Sequence, residues 1–71
     1  MKLIEVYELN YDELYPKMVF KGEREACMNF IGHEAKEKNC GIYRSWFEDG
    51  LYYYDCGPVV YFSKRKLEAE V

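Results

Sequence analysis

Three features predict an α+β fold: a single antiparallel sheet of three to five strands with one helix packed on one face. The first is an aromatic block over residues 42–62, cut by Asp49-Gly50 and Gly57-Pro58. Aromatic and β-branched side chains suit a pleated, half-buried surface, and Gly-containing dipeptides supply the backbone conformations that hairpin turns require. The second is one stretch, residues 23–38, whose apolar residues recur at helical spacing. The third is the alternation of residues 2–9. The expected order is β-(β)-α-β-β-β in two layers, with residues 1–71 forming one small domain.

In chain order, residues 2–9 put Ile4 and Val6 on one side of a strand and Leu3, Glu5 and Tyr7 on the other. Residues 10–16 hold turn formers and acids and fit a loop. Lys17 to Lys21 fits a short second strand that Pro16 begins and Gly22 ends. In the helix, Ala26, Cys27, Phe30, Ile31 and Ala35 form the apolar stripe, while Arg24, Glu25, Asn29, Lys36 and Glu37 lie elsewhere on the cylinder. Glu23 and Glu25 at its start and Lys36 and Lys38 at its end complement the helix dipole. Asn39 or Gly41 can supply the left-handed residue that ends it. Gly32 inside the helix costs about 1 kcal/mol relative to alanine.

An Asp49-Gly50 turn sets the register of the aromatic strands. It pairs Glu48 with Leu51, Phe47 with Tyr52, Trp46 with Tyr53, Ser45 with Tyr54, Arg44 with Asp55 and Tyr43 with Cys56. A second tight turn at Gly57-Pro58 pairs Val59 with Cys56, Val60 with Asp55, Tyr61 with Tyr54 and Phe62 with Tyr53, although Gly-Pro also suits a bend or bulge. Residues 63–71 are expected to fray.

These registers sort the sheet into two faces. Ile42, Arg44, Trp46, Tyr53, Asp55, Val60 and Phe62 share one, and Tyr43, Ser45, Phe47, Tyr52, Tyr54, Cys56, Val59 and Tyr61 share the other. The helix is expected on Trp46, Val60 and Phe62, because each large apolar side chain gains about 1.5–3 kcal/mol on full burial. Arg44 and Asp55 would then pair at the rim. That choice leaves Tyr43, Phe47, Tyr52, Tyr54 and Tyr61 as an open aromatic patch, the candidate binding residues. The reverse choice leaves Trp46, Tyr53 and Phe62 open. One short helix leaves one face exposed in either case.

Composition narrows the function. At 71 residues, a chain buries only roughly 60–65% of its unfolded surface, so its core is small. A hydrophobic fraction of 49% and an aromatic fraction of 18% exclude a disordered chain. A net charge of −3 disfavours a nucleic-acid partner, since phosphate binding needs clustered cations and the run Lys64-Arg65-Lys66 is diluted by Glu68 and Glu70. Cys27, Cys40 and Cys56 make an odd count without a Cys-x-x-Cys pair, and Met1-Lys2 leads straight into a strand rather than a signal peptide. A soluble, cytoplasmic protein with free thiols is expected, with no membrane association.

No catalytic signature is present, and no enzyme activity, cofactor or metal is expected. His33, Glu37 and Cys40 are the nearest approach to a ligand set, but His33-Glu34-Ala-Lys-Glu37 lacks the second histidine of a zinc-binding helix. An exposed His33 interacting with Glu37 is the expected arrangement. Asp55 beside Cys56 would raise the thiol pKa rather than activate it, so Cys56, like Cys27, is expected to be a small core residue. Asp12-Glu13 and Glu48-Asp49 fall in turns, where a carboxyl group lacks the desolvated cleft that acid catalysis needs. The leading expectation is a small stand-alone protein-interaction module, an adaptor, regulator or inhibitor that works through an exposed aromatic sheet face. Its partner is another protein or a second copy of itself. One alternative is a nucleic-acid-binding domain using the aromatic sheet and residues 64–66. Another is an acidic mimic of nucleic acid that spaces Glu5, Glu8, Asp12, Glu13, Glu48 and Asp49 like phosphates.

Overall fold

The computed structural model describes residues 3–38 and 44–67. Five strands, β1 (Ile4–Asn10), β2 (Lys17–Gly22), β3 (Arg44–Glu48), β4 (Leu51–Asp55) and β5 (Val59–Ser63), form one antiparallel sheet in the order β2-β1-β5-β4-β3. One helix, α1 (Arg24–Glu37), lies across β1 and β2. The fold is α+β with the expected element order.

Local chemistry accounts for the hairpins. Asp49 and Gly50 both take positive φ, 51° and 81°, the left-handed pair that matches strand twist in a two-residue turn. The β3–β4 register runs from Arg44↔Asp55 to Glu48↔Leu51 as the turn dictates. Tyr43, the next expected pairing residue, lies outside the described residues. At the second turn Gly57 takes φ of 89°, its N–H donates to Asp55 Oδ1 at 2.9 Å, and Cys56 N–H donates to Val59 O at 3.0 Å. Gly57-Pro58 is therefore a tight turn, and β4 pairs with β5 through Asp55↔Val60, Tyr54↔Tyr61 and Tyr53↔Phe62.

Between β1 and β2 the register shifts after Val6, so that Val6 pairs with Phe20 but Tyr7 pairs with Met18. The extra residue in β2 lets both Val19 and Phe20 pack toward the core. The helix needs no side-chain cap at Glu23. It is held instead by its buried stripe, Cys27, Ile31 and Ala35, with Met28 and Phe30 partly buried beside it. Cys27 Sγ–H lies 3.4 Å from Gly22 O and 3.5 Å from Ile4 O, joining helix to both strands. Phe30 stacks on Phe20 with centroids 4.7 Å apart and meets Tyr61 edge-on at 6.2 Å. The expected helix terminators, Asn39 and Gly41, lie outside the described residues.

Two expectations are corrected. The helix covers the face bearing Tyr54, Cys56, Val59 and Tyr61, not the one bearing Trp46, Val60 and Phe62. Tyr54 and Tyr61 are 2% and 0% exposed. The cause lies in β1, where Ile4 and Val6 face the helix. The pairing Glu8↔Tyr61 and Tyr7↔Phe62 then carries Tyr61 to the covered side and Phe62 to the other. Covering the opposite side would also have forced Arg44 and Asp55 under a helix, a desolvation that an ion pair seldom repays. The second correction concerns residues 63–67 of the expected frayed tail; residues 68–71 lie outside the described residues. Ser63 ends β5 fully buried, its hydroxyl donates to Arg65 O at 2.7 Å, and Leu67 returns to the core with its N–H on Tyr54 Oη at 3.0 Å. A turned-back segment thus covers part of the sheet that α1 does not reach.

Candidate functional site

The face turned away from the helix carries one continuous row of side chains. Because each residue pairs directly across its strand boundary, Met18, Tyr7, Phe62, Tyr53 and Trp46 line up through all five strands. The rings contact in sequence. Tyr7 and Phe62 stack at 5.5 Å and 16°, Phe62 and Tyr53 lie 5.5 Å apart at 36°, and Tyr53 and Trp46 stack at 5.1 Å and 8°. Arg44 closes the row with its guanidinium 4.8 Å from the Trp46 ring centre. No described helix or strand covers this row.

Ring spacing slightly above the roughly 4.8 Å between strands means that the rings stand on edge and stack on each other. Their faces are used within the row, so a partner meets ring edges, hydroxyls and the exposed Met18. Polar groups fix the ends. Tyr7 hydroxyl donates to Glu5 Oε1 at 2.8 Å, and that carboxylate holds the Tyr7 pKa above its ordinary value through the hydrogen bond first and burial second. Glu5 Oε2 also lies 3.8 Å from Lys21 Nζ. Trp46 Nε1–H donates to Glu48 Oε1 at 3.2 Å, and Arg44 Nε pairs with Asp55 Oδ2 at 3.4 Å as the register implied. The row is thus apolar, flanked by self-neutralised ion pairs. At the Tyr7 end, Leu3, Glu5, Lys64 and Arg65 help line a small hollow of about 130 Å³.

Of the residues expected to form the binding face, Tyr54 and Tyr61 are core, Tyr43 lies outside the described residues, and Phe47 and Tyr52 remain accessible on the helix side. The buried hydroxyls have partners, Leu67 N–H for Tyr54 and Lys38 Nζ, at 3.2 Å, for Tyr61. Burial, with the Glu8 hydrogen bond second, drives the Tyr61 pKa far above its usual range. Beyond the reach of α1, Phe47 and Tyr52, 4.6 Å apart and tilted at 51°, line a groove of about 260 Å³ with Ser45 and Lys66.

Trp46, Tyr53 and Phe62 are the patch that the reverse face choice exposes. Tyr7 and Met18 extend it and were not among the candidates. Tyr7 was legible from its position opposite Ile4 and Val6 on β1. Met18 was not, because its place depends on the bulge.

The remaining candidates do not converge. His33 Nε2 and Glu37 Oε1 lie 3.6 Å apart on an exposed helix surface. No group of three His, Cys, Asp or Glu residues able to hold a metal occurs among the described residues. Cys40 lies outside them. Cys27 and Cys56 are both buried, and desolvation raises the Cys27 pKa. Glu5 and Glu8 fall on opposite faces, while Asp12-Glu13 and Glu48-Asp49 sit near opposite sheet edges, so the acids form no single row. No helix among the described residues is long and apolar enough to cross a membrane. Comparison with protein-family models, curated proteins and solved structures gives no match for this chain.

Proposed function

We propose that this protein is a small protein-interaction module, an adaptor, regulator or inhibitor, and that it binds another protein through the open face of its sheet. One observation carries the reading: the in-register row Met18–Tyr7–Phe62–Tyr53–Trp46 on the face that no described element covers. Tyrosine, tryptophan, methionine and arginine are the side chains enriched where proteins meet, and a row pre-stacked by its own strands loses little rotamer freedom on binding. The module works in a reducing, cytoplasmic setting, which suits its buried thiols.

Nucleic acid fits this face less well. Bases stack on ring faces, and here those faces are taken up by neighbouring rings. Two of the flanking cations, Lys21 and Arg44, are already paired with Glu5 and Asp55.

The test is capture of a partner from the source cell by the wild-type chain and by Trp46→Ala and Phe62→Ala. Both variants should lose a partner that Phe47→Ala, altered on the opposite face, retains. Equal capture by all four chains refutes the reading. In parallel, micromolar binding of single-stranded DNA or RNA that weakens steeply with salt would replace it with the nucleic-acid alternative.

A further inference from the structure

The β1–β2 loop, residues 11–16, displays three large apolar side chains to solvent: Leu14 is 88% exposed, Tyr15 78% and Tyr11 63%. The display is built rather than loose. Asp12 N–H donates to Asn10 Oδ1 at 3.0 Å, Glu13 N–H donates to Asn10 O at 2.9 Å, and Glu13 lies 3.9 Å from Lys17. The loop therefore presents leucine and tyrosine beside two carboxylates, on a backbone already turned. The groove lined by Phe47, Tyr52, Ser45 and Lys66, with Trp46, Tyr53 and Tyr54 beside them, has the complementary chemistry of packed aromatic rings, a hydroxyl and a lysine. Among the described residues, Lys66 has no carboxylate within ion-pair distance. At about 260 Å³ the groove falls below the roughly 300–1,000 Å³ of small-molecule sites, and it suits one or two side chains of a protein.

We infer that a second copy of this chain fills the groove, its Leu14 and Tyr15 packing against the contacting rings of Phe47 and Tyr52 and its Asp12 and Glu13 meeting Lys66. Loop and groove lie at diagonal corners of the sheet. The loop leaves edge strand β2 at the end where Asn10 pairs with Val59, and the groove lies by edge strand β3 at the end where Tyr52 pairs with Ser63. A chain cannot fill its own groove, so the contact is head-to-tail and generates open chains or a closed ring. Trp46 and Tyr53 of the aromatic row also line the groove, but the contact needs neither Phe62, Tyr7 and Met18 nor the partner of the proposed function, so a change at Phe62 separates the two readings.

The experiment is sedimentation equilibrium of the purified protein up to millimolar concentration. Wild type should associate reversibly, and Leu14→Asp should abolish association with an unchanged urea midpoint. Asp12→Lys alone and Lys66→Glu alone should each weaken it about tenfold, the size of one lost central contact. An equimolar mixture of those two variants should recover it, because the native loop of one meets the native groove of the other and the swapped charges pair. Phe62→Ala, on the open face, should associate like wild type. A protein that stays monomeric throughout overturns the inference. So does a mixture that fails to recover, or association lost in Phe62→Ala, which would move the contact to the aromatic row.

Discussion

Three residues tie stability to alkaline pH through one mechanism. Cys27, Tyr61 and Tyr7 all have pKa values raised above their ordinary 9.0 and 10.0, Cys27 and Tyr61 chiefly by burial and Tyr7 chiefly by its hydrogen bond to Glu5. A raised value means that the folded chain holds the proton where the unfolded chain releases it. The stabilisation is complete below pH 9 and is lost as pH climbs past the unfolded values toward the folded ones. The urea midpoint should be flat from pH 7 to about 9 and then fall, with each linked buried group removing at most about 1.4 kcal/mol per pH unit. Tyrosinate absorbance should show at least one of the eight tyrosines titrating only with unfolding. A midpoint unchanged to pH 11 would mean that Tyr61 and Cys27 are reached by solvent. At Gly32 the effect has the opposite sign. A Cβ there meets nothing within 4 Å, so Gly32→Ala should stabilise the helix by up to about 1 kcal/mol, read as a rise in the urea midpoint.

At the scale of elements, the cover over the core is divided between α1 and the segment after β5. Leu67 is buried, and its N–H donates to the Tyr54 hydroxyl, so that segment contributes both apolar area and a buried hydrogen bond. Leu67→Ala should cost about 2–4 kcal/mol, measured by urea unfolding, whereas Lys64→Ala, exposed on the same segment, should cost within about 0.5 kcal/mol. Equal small losses would show the segment to be superficial. This element was the one least legible in the sequence. Lys64-Arg65-Lys66 reads as a solvated run, and one leucine beyond it gives no periodicity to mark burial. The hairpins were legible because Asp49-Gly50 and Gly57-Pro58 fix registers locally, down to the Arg44–Asp55 pair. Which face they bury is not local. It depends on β1 pairing with β5, residues about fifty positions apart, and that pairing overrode the intrinsic preference of Trp46 and Phe62 for cover. The candidate surface was legible to the same degree: a surplus of rings was certain from composition, but its side was set by long-range pairing.

For the molecule as a whole, the consequence is a sheet with one working interior and one self-supporting exterior. Tyr61 and Phe62 are adjacent in the chain and separated by the thickness of the sheet. Tyr61 touches Phe30 from the helix and receives Lys38, while the ring contacts of Phe62 among the described residues are with its cross-strand neighbours Tyr7 and Tyr53. Removing a buried ring loses transfer energy and leaves a cavity, so Tyr61→Ala should cost about 3–5 kcal/mol and threaten the fold of so small a protein. Removing a ring from the open row loses two cross-strand contacts and leaves no closed void, so Phe62→Ala should cost about 1–2 kcal/mol. Urea unfolding of both variants checks the difference directly. If Phe62→Ala destabilised the chain as much as Tyr61→Ala, the aromatic row would have a cover of its own, and it would no longer be a surface offered to a partner. If the two differ as expected, the row is retained at little cost to the fold and is free to be spent on recognition.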